Sequence, residues 1–129
     1  MNCRELTAAV AKEAIRRGSI VRFKIEAPLL GYRASVRSAF DPKYRAYKDR
    51  VRLLGTQAGV PMELPPRPGR ARVSYVVRWK NVARIDKTNV EKAIEDGLWS
   101  KDRRVLEGEY MTFEGCAEES VEVQVEIIK

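Results

Sequence analysis

The sequence predicts an α+β fold: a mixed β-sheet of about four to five strands, two core helices, and an extra helix at the N-terminus. Three observations carry that expectation. Two stretches, Ile20–Ala27 and Ser120–Ile128, alternate apolar and charged side chains with a period of two, the mark of strands with one buried face. Two others place apolar residues at helical spacing behind plausible start signals. A chain of 129 residues with 44% hydrophobic content is the size and make-up of one globular domain, here 1–129.

Taken in order, RELTAAVAKEAIRR (residues 4–17) is rich in good helix formers and Gly18 supplies a stop. Its apolar face, Leu6, Ala9, Val10 and Ala14, is thin, so residues 1–18 are expected as a peripheral helix outside a core of 20–128. IVRFKIEA follows as a strand, and Pro28 to Phe40 reads as a long loop carrying Arg33 and Arg37. Asp41-Pro42 opens a helix with an acidic cap and a proline in its first turn. Tyr44, Tyr47, Val51 and Leu54 form its inner face, and Gly55 ends the clean pattern. After the proline-rich connector GVPMELPPRPG, the β-forming run Ala71–Asn81 is expected near the centre of the sheet. A strand around Met111–Phe113, preceded by Val105–Tyr110, and the closing SVEVQVEII complete the chain.

Composition excludes several chemistries. The chain has no histidine, so neither a Ser-His-Asp or Cys-His apparatus nor a histidine-containing zinc site can be built. Cys3 and Cys116 are too few for a disulfide framework. No stretch reaches the roughly 18–20 apolar residues that cross a bilayer, and the charged N-terminus lacks a signal core, so a cytoplasmic, membrane-free protein is expected. What remains is carboxylate, lysine and hydroxyl chemistry.

The net charge of +7 is unevenly spread. Residues 31–87 hold fourteen basic and four acidic side chains, whereas residues 88–129 hold five and eleven. A basic middle beside an acidic end suits a polyanion-binding surface next to a carboxylate-rich patch, although solvated charges on a soluble domain give the same count.

The segment RIDKTNVEKAIEDGLWSKDRRV (84–105) concentrates those carboxylates. Thr88 and Glu91 match a capping box, with Thr88 as N-cap. Val90, Ala93, Ile94 and Gly97 make an apolar stripe, and Asn89, Lys92 and Asp96 share another face. Nothing in that local account needs chemistry. Asp102 lies just beyond the helix, so oxygen ligands for a hard cation are present without nitrogen or sulfur competitors.

The string Asp86, Asn89, Lys92, Asp96, Leu98, Trp99, Asp102 and Val105 resembles that of RusA, a family of small phage and prophage Holliday junction resolvases. FKIEAPLLGYRASVRSAFDPKYRAYKDRV is similar to the family's first strand, loop and helix, and SVEVQVEII to its closing strand, so the likeness spans residues 20–128. It implies a homodimeric α+β hydrolase of DNA recombination and repair that uses Mg²⁺ or Mn²⁺ to cut four-way junctions in double-stranded DNA. Position by position, it implies Asp86, Lys92 and Asp102 as catalytic residues. The metal would be held by Asp86 and Asp102 with Asp96 and Thr88. Thr88 stands where the family has an aspartate, and a hydroxyl is the weaker ligand.

Backbone contacts are expected from Arg33, Arg37, Lys43, Lys48, Arg67, Arg70 and Arg72. Beside the endonuclease stands an alternative: a structure-specific DNA-binding protein whose catalysis is weakened or lost through Thr88. An interaction protein without a metal and an RNA-acting nuclease are the further readings. Trp79 and Trp99 are expected in the core or an interface.

Overall fold

The computed structural model describes residues 20–31, 41–99 and 104–128. The expected helix at 4–17 lies outside them, as do Arg33, Arg37 and Asp102. The described chain runs β1 (Ile20–Glu26), α1 (Pro42–Ala58), β2 (Arg70–Arg78), α2 (Lys87–Leu98), β3 (Val105–Phe113) and β4 (Ser120–Ile128). The α+β expectation is borne out, with four strands rather than five among the described residues.

The strands form one mixed sheet in the order β1-β4-β2-β3. β4 pairs antiparallel with both β1 and β2, and β2 pairs parallel with β3. A parallel neighbour needs a crossover, and α2 provides it. Registers stack the inward side chains into rungs: Val21–Val125–Val73, Phe23–Val123–Tyr75 and Ile25–Val121–Val77. Against that face sit Tyr44, Tyr47 and Val51 of α1 and Val90, Ala93 and Ile94 of α2, so both helices cover the same side. Trp79 and Trp99 belong to this core, as expected.

Three local expectations need correction. Helix α1 continues through Gly55 to Ala58. A β-carbon built on Gly55 would come within 2.6 Å of Leu98 Cδ2, so this glycine permits close packing and does not stop the helix. The stop is Gly59, whose φ of 107° is the left-handed cap that glycine tolerates best. Strand β2 ends at Arg78, short of Asn81. The third correction concerns the start of α2. Asp86, not Thr88, is the N-cap, and its carbonyl accepts from the Asn89 and Val90 amides. Thr88 is already inside the first turn, because helical backbone begins one residue after Asp86.

Candidate functional site

Helix α2 carries the candidate site, and its residues divide into three stripes by the 3.6-residue repeat. Val90, Ala93, Ile94 and Gly97 are buried, as the sequence predicts. Lys87, Glu91 and Glu95, spaced four apart, turn toward β2 and β3. Thr88, Lys92 and Asp96 take a third side, of which Asp96 meets Tyr44 of α1.

Asp86 sits where the chain leaves the loop after β2. An N-cap aspartate commonly accepts an amide from the first turn, yet the Asp86 carboxylate makes no such bond and is exposed. Its loop is held from behind. Arg84 donates through Nη2 to the Leu29 carbonyl at 2.9 Å, pairs with Glu119, and lies over the Trp79 ring. Leu29 N–H donates to Glu119 Oε1 at 3.4 Å. These contacts join the ends of β1 and β2 to the loop that presents Asp86.

On the third stripe Lys92 approaches Asp96 at 3.7 Å, and Tyr44 Oη donates to Asp96 Oδ2 at 3.4 Å. Thr88 is exposed one helical turn from Lys92. The structure thus places Thr88 and Lys92 side by side on the helix. Asp96 is ten residues past Asp86, roughly 15 Å along the axis, and is engaged with α1. Asp102 lies outside the described residues. Trp99 caps the far end of α2, with Nε1 donating to Pro61 O at 3.0 Å. Arg104 reaches the Pro65 carbonyl at 2.6 Å, at the beginning of β2.

The second stripe forms a network that sequence reading overlooked. Tyr75 Oη donates to Glu95 Oε2 at 2.6 Å, and Lys87 pairs with Glu107 of β3 and, at 3.6 Å, with Glu91. Lys87 also lies 5.8 Å from the centroid of the Tyr110 ring. Burial, reinforced by the charge of Glu95, pushes the Tyr75 hydroxyl well above its ordinary pKa. Burial likewise raises Glu95, although the Tyr75 hydrogen bond pulls it back in part. Glu91 is raised by burial against the opposing pull of Lys87. The four-residue spacing of Lys87, Glu91 and Glu95 was visible in the sequence; that Tyr75 and Glu107 would face it was not.

The predicted basic residues scatter. Lys43 is exposed on α1, and Lys48 lies over the Tyr44 ring at 5.4 Å from its centroid. Arg67 and Arg70 are exposed around the start of β2. Arg72 is on the sheet face away from the helices, paired with Glu126 at 3.0 Å.

Oxygen donors without histidine or converging thiols are the right chemistry for Mg²⁺ or Mn²⁺. Among the described residues, which do not include Asp102, no three carboxylate or thiol side chains converge on a metal position. Nor is any described helix long and apolar enough to cross a membrane. No protein-family model matches the chain, and no curated protein matches it significantly.

Proposed function

We propose that the protein is a homodimeric endonuclease of branched DNA that depends on a divalent metal, with Asp86 and Asp102 as metal-binding carboxylates and Lys92 beside the scissile phosphate. The observation that carries the reading is the exposed Asp86 carboxylate, which sits at a helix start without capping it, inside the Asp86–Val105 pattern that resembles RusA. A cation held there would offset charge on the phosphate and acidify a bound water.

A symmetric dimer would hold two such sites, matching the paired strands of a four-way junction.

Junction cleavage with Mg²⁺ or Mn²⁺, with binding measured in parallel, tests this. Wild type cuts; Asp86→Asn and Asp102→Asn each bind without cutting. Wild-type protein that binds junctions but never cuts them would refute the nuclease reading.

A second reading is favoured by Thr88. It is exposed and neutral at the position where the resembling family places a carboxylate. A junction-binding protein with weakened catalysis follows if Thr88→Asp, one turn from Lys92, raises the cleavage rate.

A further inference from the structure

The loop between β2 and α2 is exposed from Lys80 to Arg84, a position where a chain is ordinarily free to move. Here the turn between β3 and β4 and the segment after β1 both grip it. The Asn81 carbonyl accepts from Gly115 N–H at 3.2 Å, and Ala83 N–H donates to Glu114 Oε2 at 2.5 Å. Arg84 donates through Nε to Glu119 Oε2 at 3.3 Å and through Nη2 to Glu119 Oε1. The same Nη2 reaches the Leu29 carbonyl at 2.9 Å. Ile85 packs directly against Gly31, where an added β-carbon would overlap it.

Glu119 is the hub of these contacts. Its neighbours Ala117 and Glu118 are exposed, yet its own side chain is only 14% exposed. Its backbone carbonyl accepts from Ala27 N–H at 3.0 Å, and Oε1 also takes Leu29 N–H at 3.4 Å. An isolated surface ion pair contributes little. A two-pronged guanidinium–carboxylate pair sets orientation as well as distance, and here each partner holds the main chain of Leu29 too. The Arg84 guanidinium lies 5.7 Å from the centroid of the Trp79 ring, which is wholly buried beneath it. Downstream, the Asp86 carbonyl accepts from the Asn89 and Val90 amides at 3.0 Å each. The main chain at Asp86 is thus pinned on both sides, while its carboxylate is exposed and caps nothing.

We infer that Glu119 is a positioning residue for Asp86: acting through Arg84, it sets the place from which the Asp86 carboxylate meets a divalent cation. The inference rests on the nuclease reading in taking Asp86 as a metal ligand. A carboxylate on a wandering loop must be ordered when it binds, and one on a pinned main chain avoids that cost. Groups that orient a metal ligand typically account for about 10–100-fold in metal affinity. Arg84 cannot be exchanged for lysine in this role, because an ammonium lacks the fork that meets both Glu119 oxygens.

The test uses the full chain and Mn²⁺ titration calorimetry, with Asp86→Asn marking which binding event is meant. Glu119→Gln is expected to weaken that event about tenfold and to leave metal-free junction affinity unchanged. Arg84→Lys should reproduce the loss, and it carries the test if Glu119→Gln fails to fold. Glu126→Gln, which breaks the 3.0 Å pair with Arg72 on the sheet face away from the helices, should leave Mn²⁺ binding as in wild type. A second arm needs no metal: amide exchange at Asn89 and Val90 reports on the Asp86 carbonyl. It should quicken severalfold in Glu119→Gln while Val123 and Val125 of β4 keep their rates. Unchanged Mn²⁺ affinity in Glu119→Gln, or an equal loss in Glu126→Gln, would overturn the inference. Wild type that neither binds Mn²⁺ through Asp86 nor cuts refutes the nuclease reading, whereas indifferent exchange at Asn89 and Val90 refutes the positioning by Glu119 on its own.

Discussion

Replacing Tyr75 by phenylalanine removes one hydroxyl from a site that is 1% exposed, and little else changes in shape. That hydroxyl donates to Glu95 Oε2 at 2.6 Å and is the contact that ties α2 to the middle of β2. A hydrogen bond to an ionised partner contributes about 1.5–3 kcal/mol, and one between neutral groups about 1 kcal/mol. The loss in Tyr75→Phe therefore depends on whether Glu95 is ionised. Burial holds the folded pKa of Glu95 above its ordinary value, so the folded state keeps the proton longer than the unfolded state. Stability tied to Glu95 is then fully present below the unfolded carboxylate range and falls as pH rises through the folded pKa.

Removing the Tyr75 donor raises that folded pKa further and deepens the fall. Urea denaturation should show Tyr75→Phe costing about 1 kcal/mol near pH 4 and about 1.5–3 kcal/mol near pH 8. In a Glu95→Gln background the pH dependence of the loss should vanish, and Glu95→Gln alone should flatten the decline in stability above the carboxylate range. An equal loss at both pH values, or no coupling between the two positions, would refute the assignment of an ionised Glu95 to this bond.

Other consequences are simpler to measure. Asp41 Oδ1 accepts from Lys43 N–H at 2.9 Å, so Asp41→Ala should lower stability by about 1 kcal/mol through loss of the α1 cap, read as a shifted urea midpoint. Gly59→Ala should cost about 1–2 kcal/mol, since its positive φ suits glycine and nothing nearer than 3.9 Å crowds the added carbon. If α1 tracks a phosphate backbone, Lys43→Gln should weaken junction binding and reduce the slope of log affinity against log salt by about one, without changing thermal stability. An unchanged salt slope would take Lys43 out of the interface.

Much of the scaffold was legible in the sequence because its signals are local. The alternation in IVRFKIE and SVEVQVEII gave two strands and their buried faces, since a period of two follows from the pleat itself. Asp41-Pro42 fixed the start of α1, and Val90, Ala93, Ile94 and Gly97 fixed the inner face of α2. The errors arose where neighbours outrank local preference. Gly55 reads as a helix stop until Leu98 is seen against it. Thr88 and Glu91 read as a capping box until Asp86 takes the cap and Glu91 turns to Lys87.

For the candidate site, sequence supplied the residue types and tertiary structure decided their company. Absence of histidine, the run of carboxylates from Asp86 onward and the basic middle of the chain are properties of the string alone. They limit the chemistry to oxygen ligands and lysine in any fold. Distance is not such a property. A helix of twelve residues sets Asp86 and Asp96 about 15 Å apart along its axis. Tyr75 and Glu95, twenty residues apart, meet instead, because a parallel crossover lays α2 back over the strand that precedes it.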